Sequence, residues 1–264
     1  MLCVIITMYI CFWIGGVDLL GNGKTLGVLG GLGPMSSVYF YEMLTAHTAA
    51  SCDQEHLNIL LSSRADTPDR TSFILGQSTE DPIPVMKFEV ARLIGAGADI
   101  IAIPCNTAHY FYDRISEESG VPIINIIRQT AIFCYRLGIK RAGILATEGT
   151  IASGAYSNVF ATAGMECICP NEDEQRIITD IIYGQIKQGK EPDMDGFWKV
   201  VNSLRARGCD RIILGCTELS LLKKNGELPD SVFIDSLEVL AYSAIKMCAK
   251  TPMGFSEELM SFRT

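Results

Sequence analysis

Gly97-Ala98-Asp99-Ile100-Ile101-Ala102-Ile103-Pro104-Cys105-Asn106-Thr107 returns as Gly208-Cys209-Asp210-Arg211-Ile212-Ile213-Leu214-Gly215-Cys216-Thr217-Glu218, with the second cysteine 111 positions after the first. A second pair agrees: Lys24-Thr25-Leu26-Gly27-Val28-Leu29-Gly30 returns 116 positions on as Lys140-Arg141-Ala142-Gly143-Ile144-Leu145-Ala146. Self-similarity at a near-constant interval governs the whole fold, so it is read first. It divides the chain into an apolar extension over 1–23, an N-terminal half over 24–130 that carries Cys105, a C-terminal half over 131–250 that carries Cys216, and a tail over 251–264. Two related halves face to face would point equivalent thiols at one small molecule from opposite sides. That suits a reaction whose two directions are mirror images.

Within each half, short β-branched runs alternate with amphipathic stretches, the pattern of a parallel sheet with crossover helices. Strands are expected at Leu26–Gly30, Leu57–Leu61, Asp99–Ile103 and Pro122–Ile126, then at Ala142–Ala146, Met165–Cys169, Arg211–Leu214 and Val232–Asp235. Met86, Val90, Leu93 and Ile94 form one apolar helical face, and Phe197, Val200, Val201 and Leu204 form its counterpart. Each of these helices leads into a cysteine-bearing strand through Gly-x-Asp, with the glycine as C-cap. The expected fold class is α/β: two similar parallel-sheet halves related by duplication, with the active site in the cleft between them. Ligands bind such sheets beyond the carboxyl ends of the strands, where both cysteines stand.

The chain has 264 residues, 48% of them apolar, enough to bury a substantial core. A net charge of −8 with no basic cluster argues against nucleic acid and against anionic membrane surfaces. The ten cysteines are scattered, several within apolar runs, as reduced structural thiols are. A cytoplasmic location is expected. Residues 1–17 carry no charge, lack the positive start of a signal peptide, and have no Lys or Arg at either end to anchor a membrane span. They read as an extension ahead of the domain, of the kind an upstream start codon adds, rather than as a membrane anchor.

Each repeated cysteine occupies the turn from a strand into the next helix, followed by good capping types, Asn106-Thr107 and Thr217-Glu218. A helix N-terminus lowers a thiol's pKa and binds carboxylates, so one turn could hold a thiolate and dock an α-carboxylate. A lone cysteine ending a strand is ordinarily packing; two at matched positions of a duplication argue for chemistry. No metal is expected, because neither half offers a Cys-x-x-Cys pair, and Cys167-x-Cys169 has the wrong interval. Gly30-Gly31-Leu32-Gly33-Pro34 lacks the third glycine of a dinucleotide fingerprint. Gly23-Lys24-Thr25 lacks the first glycine of a phosphate loop, Asp18 standing there instead. The better account of the former is a tight turn that brings backbone to the cleft, with Pro34 opening a helix. Arg64, Arg70 and Lys187 are the cationic candidates for the pocket, although a loop arginine is usually solvated and a lysine at a helix C-terminus merely complements the dipole. His109 either tunes Cys105 or is a satisfied structural histidine. Glu218 either orients Cys216 or fills an acidic first-turn position.

Pro104-Cys105-Asn106-Thr107-Ala108-His109 and Gly215-Cys216-Thr217-Glu218-Leu219 together resemble the paired signatures of the aspartate/glutamate racemase family. The resemblance runs from Lys24 to about Lys250 and is nearest to the cofactor-independent aspartate racemases. Leu29–Pro34, Asp53–His56, Pro68–Thr71, Ala146–Thr150 and Glu172–Gln175 also fit. It implies that Cys105 and Cys216 are acid and base, that Asn106, Thr107 and Thr217 hold the α-carboxylate, and that Arg70 and Lys187 take the distal carboxylate of an acidic amino acid. It also implies no cofactor and a homodimer. The apolar extension is the chief departure from the family, whose members begin near the position of Lys24. Glutamate racemisation and a cysteine-dependent isomerisation such as maleate to fumarate stay open, as do a binding protein without catalysis and a Cys105–Cys216 redox pair.

Overall fold

The computed structural model describes residues 23–262 apart from 225 and 227, so the expected apolar extension lies almost wholly outside the described residues. Two parallel four-stranded sheets carry the chain. The first comprises β1 (Thr25–Gly30), β2 (Asn58–Ser63), β3 (Ile100–Ala102) and β4 (Ile123–Ile124), in the order β2-β1-β3-β4. The second comprises β5 (Arg141–Leu145), β6 (Glu166–Ile168), β7 (Arg211–Leu214) and β8 (Phe233–Asp235), in the order β6-β5-β7-β8. The two orders are the same order, so the duplication read in the sequence is a duplication of topology.

Alternation along the strands sorts side chains into layers. Leu26 and Val28 of β1, Ile100 and Ala102 of β3 and Ile213 of β7 join one apolar core shared by both halves. The opposite faces of the sheets serve separate outer cores. One holds Leu29, Ile101, Ile103 and Cys105 beneath the helix Ile83–Gly95; the other holds Ile212, Leu214 and Cys216 beneath the helix Met194–Ala206. Met86, Val90 and Leu93 are buried on the first helix, while Ile94 is only partly so; Phe197, Val200, Val201 and Leu204 are all buried on the second. Both helices stop as expected, at Gly97 (φ 101°) and Gly208 (φ 84°), in the left-handed region that favours glycine.

Phe197 is fully buried and stacks on Phe233, with ring centroids 5.8 Å apart. Phe197→Ala should therefore cost about 3–5 kcal/mol of stability, read as an earlier urea midpoint. A loss under 1 kcal/mol would mean that this outer core collapses to fill the void.

The expected strand Pro122–Ile126 shortens to Ile123–Ile124. Asn125 there caps the next helix, its side-chain oxygen accepting from Arg128 N at 2.9 Å, so Ile126 opens that helix. Among the described residues no helix is long and apolar enough to cross a membrane. In each sheet the chain first steps from the opening strand to one side and then returns to the other, so a crevice opens beyond β1 and β3 and again beyond β5 and β7. The two crevices meet.

Candidate active site

Cys105 follows β3 and Cys216 follows β7, and both line one cleft enclosing ≈ 270 Å³ of empty space including its mouth. Arg70, Asn106, Thr107, Lys187 and Thr217 line the same cleft. Residues singled out on four separate stretches of sequence thus converge on one small cavity.

The turns after the cysteines are built differently from the sequence expectation. Asn106 and Thr107 open a short 3₁₀ segment (Thr107–Phe111) and Asn106 caps nothing. After Cys216 the chain turns before the five-residue helix Ser220–Lys224 begins. No full helix terminus therefore stands behind either thiol. Instead the polar side chains cross between the halves. Asn106 Nδ2 donates to Ser236 Oγ at 2.9 Å and its Oδ1 accepts from the Tyr156 hydroxyl at 2.7 Å. Thr217 Oγ1 donates to Pro104 O at 3.1 Å, which uses its only proton. Thr107 forms a closed hydroxyl triangle with Thr147 and Thr150, with edges of 2.9, 2.9 and 3.0 Å. All these groups are buried, so each unmade bond would cost about 1–3 kcal/mol.

The two thiols have unlike surroundings. Cys216 Sγ donates to Glu218 Oε2 at 3.0 Å. Burial, then the Glu218 charge and hydrogen bond, push the Cys216 thiol well above the ordinary cysteine range, against a smaller pull from Lys187. At the position matching Glu218, the first half carries the neutral Thr107. Lys187 Nζ lies 3.4 Å from Glu218 Oε1, outside hydrogen-bond geometry, so Oε1 is buried without a donor. Burial alone would lower the Lys187 amine; the facing Glu218, with Cys216, Tyr183 and Cys105, outweighs it and keeps the amine charged. Lys187 also lies 4.5 Å from the Tyr183 ring centroid, and burial pushes the Tyr183 hydroxyl up to about 12.

Arg70 is 7% exposed, and no carboxylate among the described residues lies within ion-pair distance of it. Its guanidinium donates to the carbonyls of Thr67, Pro68 and Leu32 at 3.0, 3.0 and 2.7 Å, and its Nε is buried without a partner. Arg64 does not join the cleft, pairing instead with Asp66 and Glu89. His109 is structural: Nδ1 donates to Cys105 O at 2.8 Å and Nε2 accepts from Ile126 N at 3.2 Å, while burial lowers its pKa and keeps it neutral. Gly31 has φ 84°, and a Cβ on Gly33 would stand 2.3 Å from Glu218 Oε1, so the glycine turn brings backbone against the carboxylate beside Cys216.

Residues 29–244 match the family model described as Asp/Glu/hydantoin racemase. The chain belongs to that racemase family. It is therefore an isomerase. A broad-specificity amino-acid racemase, RacX, of Bacillus subtilis is 29% identical over 233 residues, covering 83% of this chain and 96% of that one. The structure of an aspartate racemase from Picrophilus torridus superposes with a TM-score of 0.77 at 29% identity, over 88% of this racemase and 96% of its neighbour. A glutamate racemase of Corynebacterium diphtheriae is 31% identical over 186 residues, 66% of each chain.

Sequence reasoning missed cleft residues of this racemase: Leu32, Asp69, Thr71, Thr147 and Tyr183. Thr147 was legible in the quoted stretch Ala146–Thr150, which duplicates the glycine turn of the first half. Tyr183 was not, because it rides a six-residue π-helical segment, Asp180–Gln185, that no local pattern announces. Among the described residues no three His, Cys, Asp or Glu side chains are grouped to hold a metal ion.

Proposed function

We propose that this racemase interconverts L- and D-aspartate by two-base proton transfer, Cys105 and Cys216 working on opposite faces of Cα without a cofactor. The observation that carries the reading is the presence of two matched thiols in one cleft with a buried guanidinium that lacks a carboxylate partner. One sulfur takes the Cα hydrogen as thiolate while the other delivers its own proton to the far face; the reverse reaction exchanges the roles. The α-carboxylate lies against Asn106, Thr107 and Thr217. Asn106 offers its second amide hydrogen, and Thr107 donates its hydroxyl only by giving up one edge of the triangle with Thr147 and Thr150. Thr217, whose proton is held by Pro104 O, braces that wall. These donors steady the negative charge that builds on the carboxylate as the Cα–H bond breaks. Arg70 and Lys187 take the distal carboxylate, and a neutral amino acid is rejected because it leaves the buried Arg70 guanidinium without a carboxylate partner.

The test is chiral chromatography of purified protein incubated with either enantiomer of aspartate and no added pyridoxal phosphate. Both should converge on an equal mixture, with glutamate slower. Racemisation of glutamate alone would move the reading to that substrate. Fumarate formed from maleate, with both amino acids unchanged, would replace it by the isomerase reading. Unchanged aspartate affinity after iodoacetamide labelling, with no turnover, would leave a binding protein.

A further inference from the structure

We infer that Glu218 makes the two matched cysteines unequal: its carboxylate holds the proton on Cys216 and occupies Lys187 in the empty cleft, until the distal carboxylate of a substrate replaces it there. The inference rests on the two-cysteine reading and deepens it. Three observations converge on this side chain. Oε2 accepts the Cys216 thiol at 3.0 Å; Oε1 faces Lys187 at 3.4 Å and has no hydrogen-bond donor; and the turn at Gly33 leaves room for the carboxylate only because no Cβ is there. The matched position in the first half, Thr107, is bound into a neutral hydroxyl triangle. The duplication repeats the sulfurs, and the contrast between Thr107 and Glu218 makes their surroundings distinct. The empty enzyme then carries its acid at Cys216.

Racemisation has an equilibrium constant of one, so kcat/KM must agree for the two enantiomers whatever Glu218 does. Its action is therefore visible in protonation, and in kcat and KM taken separately. Among the described residues, the charged and titratable groups around Cys216 are Glu218 on its own turn, Lys187 and Tyr183 from the π-helical segment and its 3₁₀ end, Asp69 and Arg70 from the cap and first residue of the short helix Arg70–Ile74, and Cys105 across the cleft. Of these, Glu218 is the carboxylate in contact with the thiol.

The experiment is iodoacetamide labelling of the full-length protein across pH, with Cys105 and Cys216 followed as separate peptides by mass spectrometry. Midpoints are compared rather than rates, because restricted access slows labelling equally at every pH. In the wild type, Cys216 should label with a midpoint well above about 8.5. Removing a like charge from contact favours the thiolate, so Glu218→Gln should lower that midpoint by about 1–3 pH units and leave the Cys105 midpoint in place. Calorimetry adds the second half: Glu218→Gln should tighten succinate binding more than butyrate binding, since only succinate brings a second carboxylate to Lys187. Superimposable Cys216 curves for wild type and Glu218→Gln would overturn the inference, as would a wild-type midpoint at or below about 8.5. Equal effects on succinate and butyrate would overturn the displacement from Lys187. If Glu218→Gln does not fold, Glu218→Asp, whose shorter side chain draws the carboxylate back from the thiol, should move the midpoint the same way by less, and an unmoved midpoint there would overturn the inference. None of these readouts requires turnover, so a protein that fails to racemise aspartate defeats the proposed function separately.

Discussion

Cys105→Ser and Cys216→Ser should each lower aspartate racemisation by at least about 10³-fold, because a serine hydroxyl is a poor acid and a far poorer base at neutral pH than a thiol. The fold should survive both changes. Serine is close in shape, and at 216 it keeps a hydroxyl to donate to Glu218 in place of the Sγ contact. The two variants should also differ from each other in heavy water. With one sulfur left, only the enantiomer presenting its hydrogen to that face can be deprotonated and reprotonated there. One variant should therefore wash solvent deuterium into L-aspartate and the other into D-aspartate, each without inversion. Deuterium entering the same enantiomer in both variants would eliminate a scheme with a base on each face, as would substantial racemisation by either.

Arg70→Ala should lower kcat/KM for aspartate by about 30- to 5,000-fold, the range that follows from removing one partner of a buried charge pair at about 2–5 kcal/mol. The structure adds a complication that the ratio of substrates resolves. Arg70 also donates to the carbonyls of Leu32, Thr67 and Pro68, so its loss loosens the glycine turn and the loop after β2 for every substrate. A purely architectural arginine would weaken aspartate and alanine alike. An arginine that meets the distal carboxylate should weaken aspartate far more than alanine, which has no such group to lose. Arg70→Lys keeps the charge but surrenders the fork of donors, and should fall between the two. An equal loss on alanine and aspartate would remove the assignment.

The architecture was legible because buried parallel strands read as unbroken apolar runs and because duplication printed the pattern twice. Arg211–Leu214 was expected where β7 stands, and the helical faces around Met86 and Phe197 point inward as their spacing required. Shortening at β4 came from a local competition in which Asn125 capped a helix that Ile126 was expected to precede. The polar residues beside the cysteines were found by type and misread in action. Capping is a local habit, whereas Asn106 reaches Ser236 and Thr217 reaches Pro104 O only because the halves fold onto one another. No spacing rule contains that contact. The same holds for Glu218, whose sequence position suggested either an orienter or a first-turn acid, and whose two contacts come from packing against the glycine turn and Lys187.

The polar links that span the halves carry a consequence for the spacing of the sulfurs. Asn106 and Thr217 fasten each sulfur-bearing turn to the opposing lobe, so any separation of the lobes must break both links and strand buried polar groups at about 1–3 kcal/mol apiece. The bonds that join the halves are thus the same bonds that hold the gap between Cys105 and Cys216 to one width.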